Sequence, residues 1–277
     1  MPEFRRDPVT GHRVLIAPDR ALRPDEASGY RGPCVFCPGQ EAETPPEVAR
    51  LPGPAGTWRA RVVPNKYPAV DAGSGGAHEV VIESARHATS FLDLGEEEVV
   101  DVLGLWQSRI RALGGRVVVF KNEGAAAGAS IEHVHSQVVG LAEAEAPATS
   151  PCALCADADP ARAVAERGGF RARVPLAPRF AHELRLAPAA HRGRFEEEVE
   201  GSRREFAGLL LEVLRRLRAL LGPFPYNLAL QNGAGAHWYL EILPRTSRPG
   251  GFEWGTGMFI NTASPEVSAE LLRKARA

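Results

Sequence analysis

The stretch "NEGAAAGASIEHVHSQ", Asn122 to Gln137, runs a loop of small residues into two histidines and a glutamine at alternate positions. A neutral imidazole can attack phosphorus, accept a proton or bind a metal ion, and a glutamine amide can donate to a phosphoryl oxygen without acting as an acid. The chain has four cysteines, all in two CxxC pairs, "PCVFC" (Cys34, Cys37) and "PCALC" (Cys152, Cys155). That spacing lets two thiolates reach one ion, and two histidines would complete a tetrahedral zinc set. A redox CxxC would open a helix after a strand. Both pairs here follow proline in loop-like surroundings, which favours metal.

The chain repeats itself. "WRARV" at Trp58 recurs as "FRARV" at Phe170, and "HEVVIESARH" at His78 as "HELRLAPAAH" at His182. "HVHSQVV" at His133 has its counterpart in "HWYLEIL" at His237. This register supplies two matched metal quartets, Cys34, Cys37, His87 and His133 in the first copy and Cys152, Cys155, His191 and His237 in the second. His78 and His182 stand an odd number of residues from the neighbouring ligand, which points them to a structural role.

If residues 133–140 form a strand, His133, His135 and Gln137 share one face. With His133 on metal, His135 and Gln137 are the catalytic candidates, His135 as nucleophile. Copy two has Tyr239 and Glu241 there and so lacks the second imidazole. Matching Asn122 to Asn232 makes its loop much the shorter. Small residues let backbone N–H groups approach an anion, so the longer loop reads as a phosphate cradle. A buried polar strand, or two histidines on metal, are the competing readings of the motif.

Strands are expected at 59–63, 78–83, 116–121 and 133–140, and again at 171–175, 182–187, 226–231 and 237–243. One long helix precedes the last two strands of each copy, within residues 95–114 and 196–222. Its acidic opening in copy two, residues 196–200, reads as solvated. Trp58, Trp106 and Phe170 read as core, and His12 as part of a turn. More strands than helices, joined by loops, imply an α+β fold with a mostly antiparallel sheet in two modules, 1–143 and 150–277, linked by "LAEAEAPATSP".

Of the 277 residues, 44% are apolar and 24% charged, with a net charge of -1. That balance argues against a nucleic-acid or membrane-surface binder. No apolar run reaches membrane-span length, and "MPEFRRDPVTGHRV" lacks a signal peptide's apolar core, so a cytoplasmic protein is expected.

At these motifs the chain resembles the galactose-1-phosphate uridylyltransferase family, the transferase branch of the histidine-triad superfamily. "RRDPVTGHRVLIAPDRALRP" is similar to its opening segment, "VVPNKYPAV" to its nucleotide-contacting segment and "FKNEGAAAGASIEHVHSQ" to its signature. The resemblance implies two histidine-triad-like half-barrels. It also implies phosphate contacts from Arg20 and Arg23, nucleotide contacts from Asn65, Asn122, Gly128, Ser130 and Gln137, and zinc at His133, with two zinc ions per chain. The implied reaction is a two-step exchange. UDP-glucose gives its uridylyl group to His135, glucose 1-phosphate leaves, and galactose 1-phosphate takes the group. The partners implied are a nucleotide sugar and a sugar 1-phosphate, in a homodimer whose tail "GGFEWGTGMFIN", with Trp254 beside the sugar, reaches the other subunit. Some short members resemble ADP-glucose phosphorylases, which pass an adenylyl group to phosphate. A non-catalytic zinc-containing nucleotide binder is a further alternative, and a nucleotide hydrolase is disfavoured by Gln137 standing where a third histidine would act.

Overall fold

The computed structural model describes residues 2–22, 32–142, 152–233 and 236–276. Arg23 and nearly all of the expected linker, residues 143–151, lie outside these. A hairpin of β1 (Glu3–Arg6) and β2 (Arg13–Ile16) stands apart. The remaining strands are β3 (Ala49–Pro52), β4 (Trp58–Pro64), β5 (Ala77–Ile82), β6 (Arg116–Glu123) and β7 (His135–Leu141), then β8 (Ala163–Arg167), β9 (Phe170–Arg173), β10 (Leu184–Pro188), β11 (Tyr226–Gln231) and β12 (Tyr239–Pro244). They form one ten-stranded sheet in the order β3-β4-β5-β7-β6-β11-β12-β10-β9-β8, every pairing antiparallel. The two five-stranded halves are the two copies. They meet where β6 pairs with β11.

The described residues also form five α-helices: α1 (Glu96–Leu113), α2 (Ala153–Ala156), α3 (Glu200–Leu221), α4 (Gly251–Thr256) and α5 (Pro265–Lys274). The apolar stripes of α1 and α3 pack on one sheet face and on each other, in a single core that runs across both copies. Trp106 and Phe170 lie in that core, as expected. The other face carries a smaller cluster in copy one of Phe36, Trp58, Val63, Val80 and Ile82. Because side chains alternate along a strand, β7 sends Val138 to the helical core while His135 and Gln137 lie opposite Ile82 and Val80 of the small cluster. No described helix is long and apolar enough to cross a membrane.

The sheet register corrects three sequence expectations. The last strand of each half starts at His135 and Tyr239, two residues later than expected, so His133 and His237 precede the strands. Gln137 faces Phe120 in copy one and Glu241 faces Ala229 in copy two, so Asn122 corresponds to Gln231 and Glu123 to Asn232. Hydrogen bonding agrees. Glu123 accepts the Phe91 N–H at 3.0 Å, and Asn232 accepts the Phe195 N–H at 2.8 Å. Finally, α3 begins only at Glu200, and of the preceding acids Glu197 is exposed as expected while Glu196 and Glu198 are not. Glu198 is buried, taking Arg192 and Ser202 at 2.6 Å and the Trp238 indole at 3.0 Å, while buried Glu196 takes Asn232 at 2.8 Å.

Gln107, in α1, is fully buried where the copies touch. Its amide nitrogen donates to the Phe195 and Glu198 carbonyls at 2.8 and 2.9 Å, and its oxygen accepts from Arg203 at 2.7 Å. One side chain thus bonds two carbonyls of the turn before α3, of which that of Phe195 also accepts the Glu198 N–H at 3.1 Å.

Candidate active site and metal centres

The two quartets named from the sequence converge. In each, one ligand atom from every residue lies within 4.8 Å of the others, so both groups could hold a metal ion. Cys34 and Cys37 Sγ stand 3.6 Å from His133 Nδ1, and Cys37 Sγ stands 3.3 Å from His87 Nδ1. In copy two, Cys152 and Cys155 Sγ are 3.6 and 3.4 Å from His237 Nδ1, and Cys155 Sγ is 3.6 Å from His191 Nδ1. A tetrahedral zinc with its usual bond lengths separates sulfur from nitrogen by about 3.5 Å. The donors fit that ion.

Tautomers agree with the fit. His133 Nε2 lies 2.8 Å from the Ser84 carbonyl and His237 Nε2 lies 3.0 Å from the Pro188 carbonyl. A carbonyl only accepts, so both Nε2 atoms carry the proton and both Nδ1 lone pairs turn to the thiolates. Burial pushes the His133 imidazole down to about 4, which keeps it a neutral ligand.

His135 is buried, and its Nδ1 stands 2.8 Å from the His133 carbonyl. The same logic makes Nδ1 the protonated nitrogen and Nε2 the nucleophilic or basic one. His135 lines a cavity of about 270 Å3 with Gln137, Asn65 and Ser130, whose walls include Val35, Phe36, Val63 and Ile131. The Phe36 ring, carried between Cys34 and Cys37, stands 5.4 Å from the His135 ring and 6.1 Å from that of His133. Two of the candidate metal donors and the cavity wall therefore share one short loop.

His78, read as structural from the sequence, belongs to this site. The Ala69 N–H donates to its Nδ1 at 2.9 Å, so its Nε2 carries the proton and donates to Gln137 Oε1, also at 2.9 Å. With its oxygen held, Gln137 presents its NH2 group as the donor for a ligand. Asn65 Nδ2 lies 3.2 Å from the same nitrogen, but two N–H groups cannot bond each other. The Asn65 oxygen accepts from Tyr67 N at 2.8 Å, leaving its amide hydrogens for another partner. His78 reaches Gln137 because it sits two residues from Val80, which faces Gln137 across β5 and β7.

Asn122 and Gly128 lie at the base of the small-residue loop rather than on the cavity wall. Asn227 of copy two donates to Asn122 Oδ1 and to the Ala127 carbonyl, both at 2.8 Å, and so props the loop; the sequence offered no sign of it. Gly124 and Gly128 take φ of 81° and 86°, and a Cβ on Gly124 would come within 2.9 Å of Pro225. Both positions need glycine. The N–H groups of Ala127, Gly128 and Ala129 are spent on carbonyls inside the loop. That narrows the expected phosphate cradle, and Ser130 is the polar group this loop brings to the cavity. Arg20 donates to the carbonyl of Tyr67, a cavity residue, at 2.7 Å.

In copy two, Tyr239 and Glu241 replace His135 and Gln137, and Glu241 is engaged by Arg179 at 2.8 Å and Arg185 at 3.4 Å. An ion-pair network fills the place of the donor site.

This geometry has relatives. Residues 67–143 match the model for the galactose-1-phosphate uridyl transferase N-terminal domain. Over 99% of its length and 93% of the relative's, the chain is 30% identical to an ADP-glucose phosphorylase of Arabidopsis thaliana. The chain belongs to the galactose-1-phosphate uridylyltransferase family. A galactose-1-phosphate uridylyltransferase of Thermotoga maritima is 24% identical over 99% of this chain and 98% of its own. A crystal structure of the Arabidopsis ADP-glucose phosphorylase with bound ADP-glucose superposes with a TM-score of 0.81 at 31% identity, covering 99% of this chain and 98% of that one. The family places the protein among enzymes of the nucleotidyltransferase and phosphorylase type.

Replacing His78 by leucine strips the Ala69 N–H and the Gln137 oxygen of their buried partners. The expected loss is about 2 kcal/mol, the cost of leaving buried polar groups unpaired. Denaturant unfolding at unchanged slope would measure it, and an unaltered midpoint would show that these groups find water instead.

Proposed function

We propose that the protein moves a nucleotidyl group from a nucleoside diphosphate hexose through a covalent nucleotidyl-His135, with ADP-glucose as donor and inorganic phosphate as acceptor. The observation that carries the two-step reading is the His135 tautomer, Nδ1–H on the His133 carbonyl at 2.8 Å. The Nε2 lone pair forms the N–P bond at the α-phosphorus. The P–O bond to the hexose 1-phosphate breaks, and that oxygen leaves with the electron pair. A phosphate is a weak enough base to depart without an acid, which suits a site offering the Gln137 amide and no second imidazole. An acceptor oxygen then attacks phosphorus from solution and the N–P electrons return to Nε2. Asn65, Ser130 and Gln137 would hold the phosphoryl and nucleotide groups around the transfer, with Arg20, Arg23, Asn122 and Gly128 supporting them.

The adenylyl reading is supported by the Arabidopsis thaliana ADP-glucose phosphorylase, 30% identical in sequence and similar in fold over nearly both full lengths. A second reading keeps the uridylyl exchange between UDP-glucose and galactose 1-phosphate, supported by the Thermotoga maritima relative at 24% over the same span. In either, residues 1–143 are the catalytic module and 150–277 the supporting one, both donor quartets hold zinc, and the enzyme is a cytoplasmic homodimer. The tail supports the dimer. Trp254 is 78% exposed, with Phe252, Met258, Phe259 and Ile260 also exposed beside it, an apolar run suited to covering a second copy's surface.

Three measurements test these proposals. Intact mass after mixing with ADP-glucose alone should rise by one adenylyl group and fall back on adding phosphate, and His135→Ala should give no adduct. A uridylyl adduct from UDP-glucose, released by galactose 1-phosphate, would install the second reading, and an adduct on the alanine variant would move the nucleophile elsewhere. Chelation that removes two zinc ions per chain should abolish the cooperative melt, because closing each quartet is part of folding. A metal-free protein with an intact melt would reject a structural role. Sedimentation equilibrium should give twice the chain mass, and half that mass after Trp254→Ser with Phe259→Ser; a monomeric parent would end the dimer proposal.

A further inference from the structure

Behind the nucleophile lies an ion pair that the proposed mechanism does not use. Lys121 Nζ and Glu83 Oε2 are 2.7 Å apart, with side chains 1% and 0% exposed, and Nζ also donates to the His135 carbonyl at 3.1 Å. Phe91 caps the ammonium, 5.0 Å from its ring centre. A buried pair of this kind repays its desolvation poorly and is weak evidence of stabilisation. The second copy shows that the fold does without it. Carrying the sheet register across, Leu230 stands where Lys121 does, and Pro188 where Glu83 does.

The sheet explains why only copy one has the pair. Glu83 N donates to the Val134 carbonyl, so the bonding groups of His135 turn away from β5 and towards β6. Their ladder partner there would be Asn122. The β6–β7 register stops at Phe120 facing Gln137, because β6 leaves β7 to enter the small-residue loop and continues along β11 as far as Glu123. In copy two the equivalent pair, Gln231 facing Tyr239, is formed. Making room for the loop thus cost the catalytic strand one rung of its ladder at the nucleophile itself.

We propose that Lys121, aimed by Glu83, is a positioning residue that replaces this missing rung and holds the His135 backbone, and with it the imidazole, in line for attack. The inference rests on His135 being the nucleophile. Lys121 lies beside Ser136 on the core face and touches neither substrate nor the reacting atoms. Its effect is to hold fixed a strand end that would otherwise shift, and a displacement of about 1 Å in a reacting group can lower a rate roughly 100-fold.

The test is the double variant Lys121→Leu with Glu83→Ala, which leaves these positions uncharged as copy two does, alongside Lys121→Met alone. Rapid-quench formation of the nucleotidyl adduct from ADP-glucose and from UDP-glucose is compared with the steady-state KM. The imidazole 15N–1H spectrum of the metal-loaded resting enzyme is recorded in parallel. The expected result is a melt close to that of the parent, kcat down roughly 10- to 100-fold with KM within about twofold, and His135 ring signals broadened while those of His133 stay sharp. Unchanged His135 signals in either folded variant would overturn the proposal, as would an unchanged adduct rate where the parent forms adduct. If the parent forms no adduct, the nucleotidyl reading fails, and the ring signals still decide whether Lys121 holds His135. Should the double variant not fold, the single variant is judged by the same signals.

Discussion

The antiparallel pairing of β6 with β11 is the contact on which the rest of the molecule depends. It fuses two copies of one module into a single sheet, with Phe120 and Ala229 facing each other at the centre of the pseudo-two-fold relation. Pairing also removes an exposed edge from each half, which a five-stranded module on its own would have to protect. Every cross-copy interaction at the site follows from it. Asn227 reaches the small-residue loop because it faces Asn122 in that ladder, and Tyr226 donates to Glu123 at 2.7 Å for the same reason. Burial, and then the Glu123 carboxylate, push the Tyr226 phenol well above its usual range, so it remains a donor at any physiological pH.

Around that axis the copies keep what holds the strand ends and diverge in what the strands present. Each retains a histidine bonded through Nε2 to a backbone carbonyl and aimed through Nδ1 at a CxxC pair. Each also caps the short turn before its long helix from the end of the neighbouring strand, by Glu123 on Phe91 and by Asn232 on Phe195. Divergence begins at the loop between the last two strands. A long loop opens the sheet beside His135 and leaves a cavity there. A short one lets the ladder run on, and Arg179 and Arg185 engage Glu241.

The donor groups at the cavity are ordered by neutral hydrogen bonds to backbone. A main-chain N–H fixes the His78 tautomer, which fixes the Gln137 amide, and a main-chain carbonyl fixes that of His135. Main-chain groups have one role each and do not titrate, so the donor pattern they set holds across pH. Among the charges that copy one buries, Lys121 with Glu83 lies behind the strand in the helical core.

Much of this was legible in the chain because metal ligation tolerates few residue types and the repeat states them twice. Cys34, Cys37, His87 and His133 could be grouped before any fold was known, as could their counterparts in copy two, and alternation along one strand put His135 and Gln137 on one face. Periodicity shows which face a side chain takes and is silent on what stands across from it. The partnership of His78 with Gln137, the prop from Asn227 and the burial of Glu196 and Glu198 are contacts between distant segments, so only the tertiary structure decided them. It decided the register too. A longer α3 and a shorter loop shift the correspondence between copies and shift it back, and a match on letters alone paired Asn122 with the wrong residue. The sequence by itself determined which residues could do chemistry, since that depends on side-chain type and local spacing. Which of them meet, in which tautomer and with what behind them, was decided by strand pairing, whose hydrogen bonds are made by a backbone common to every residue.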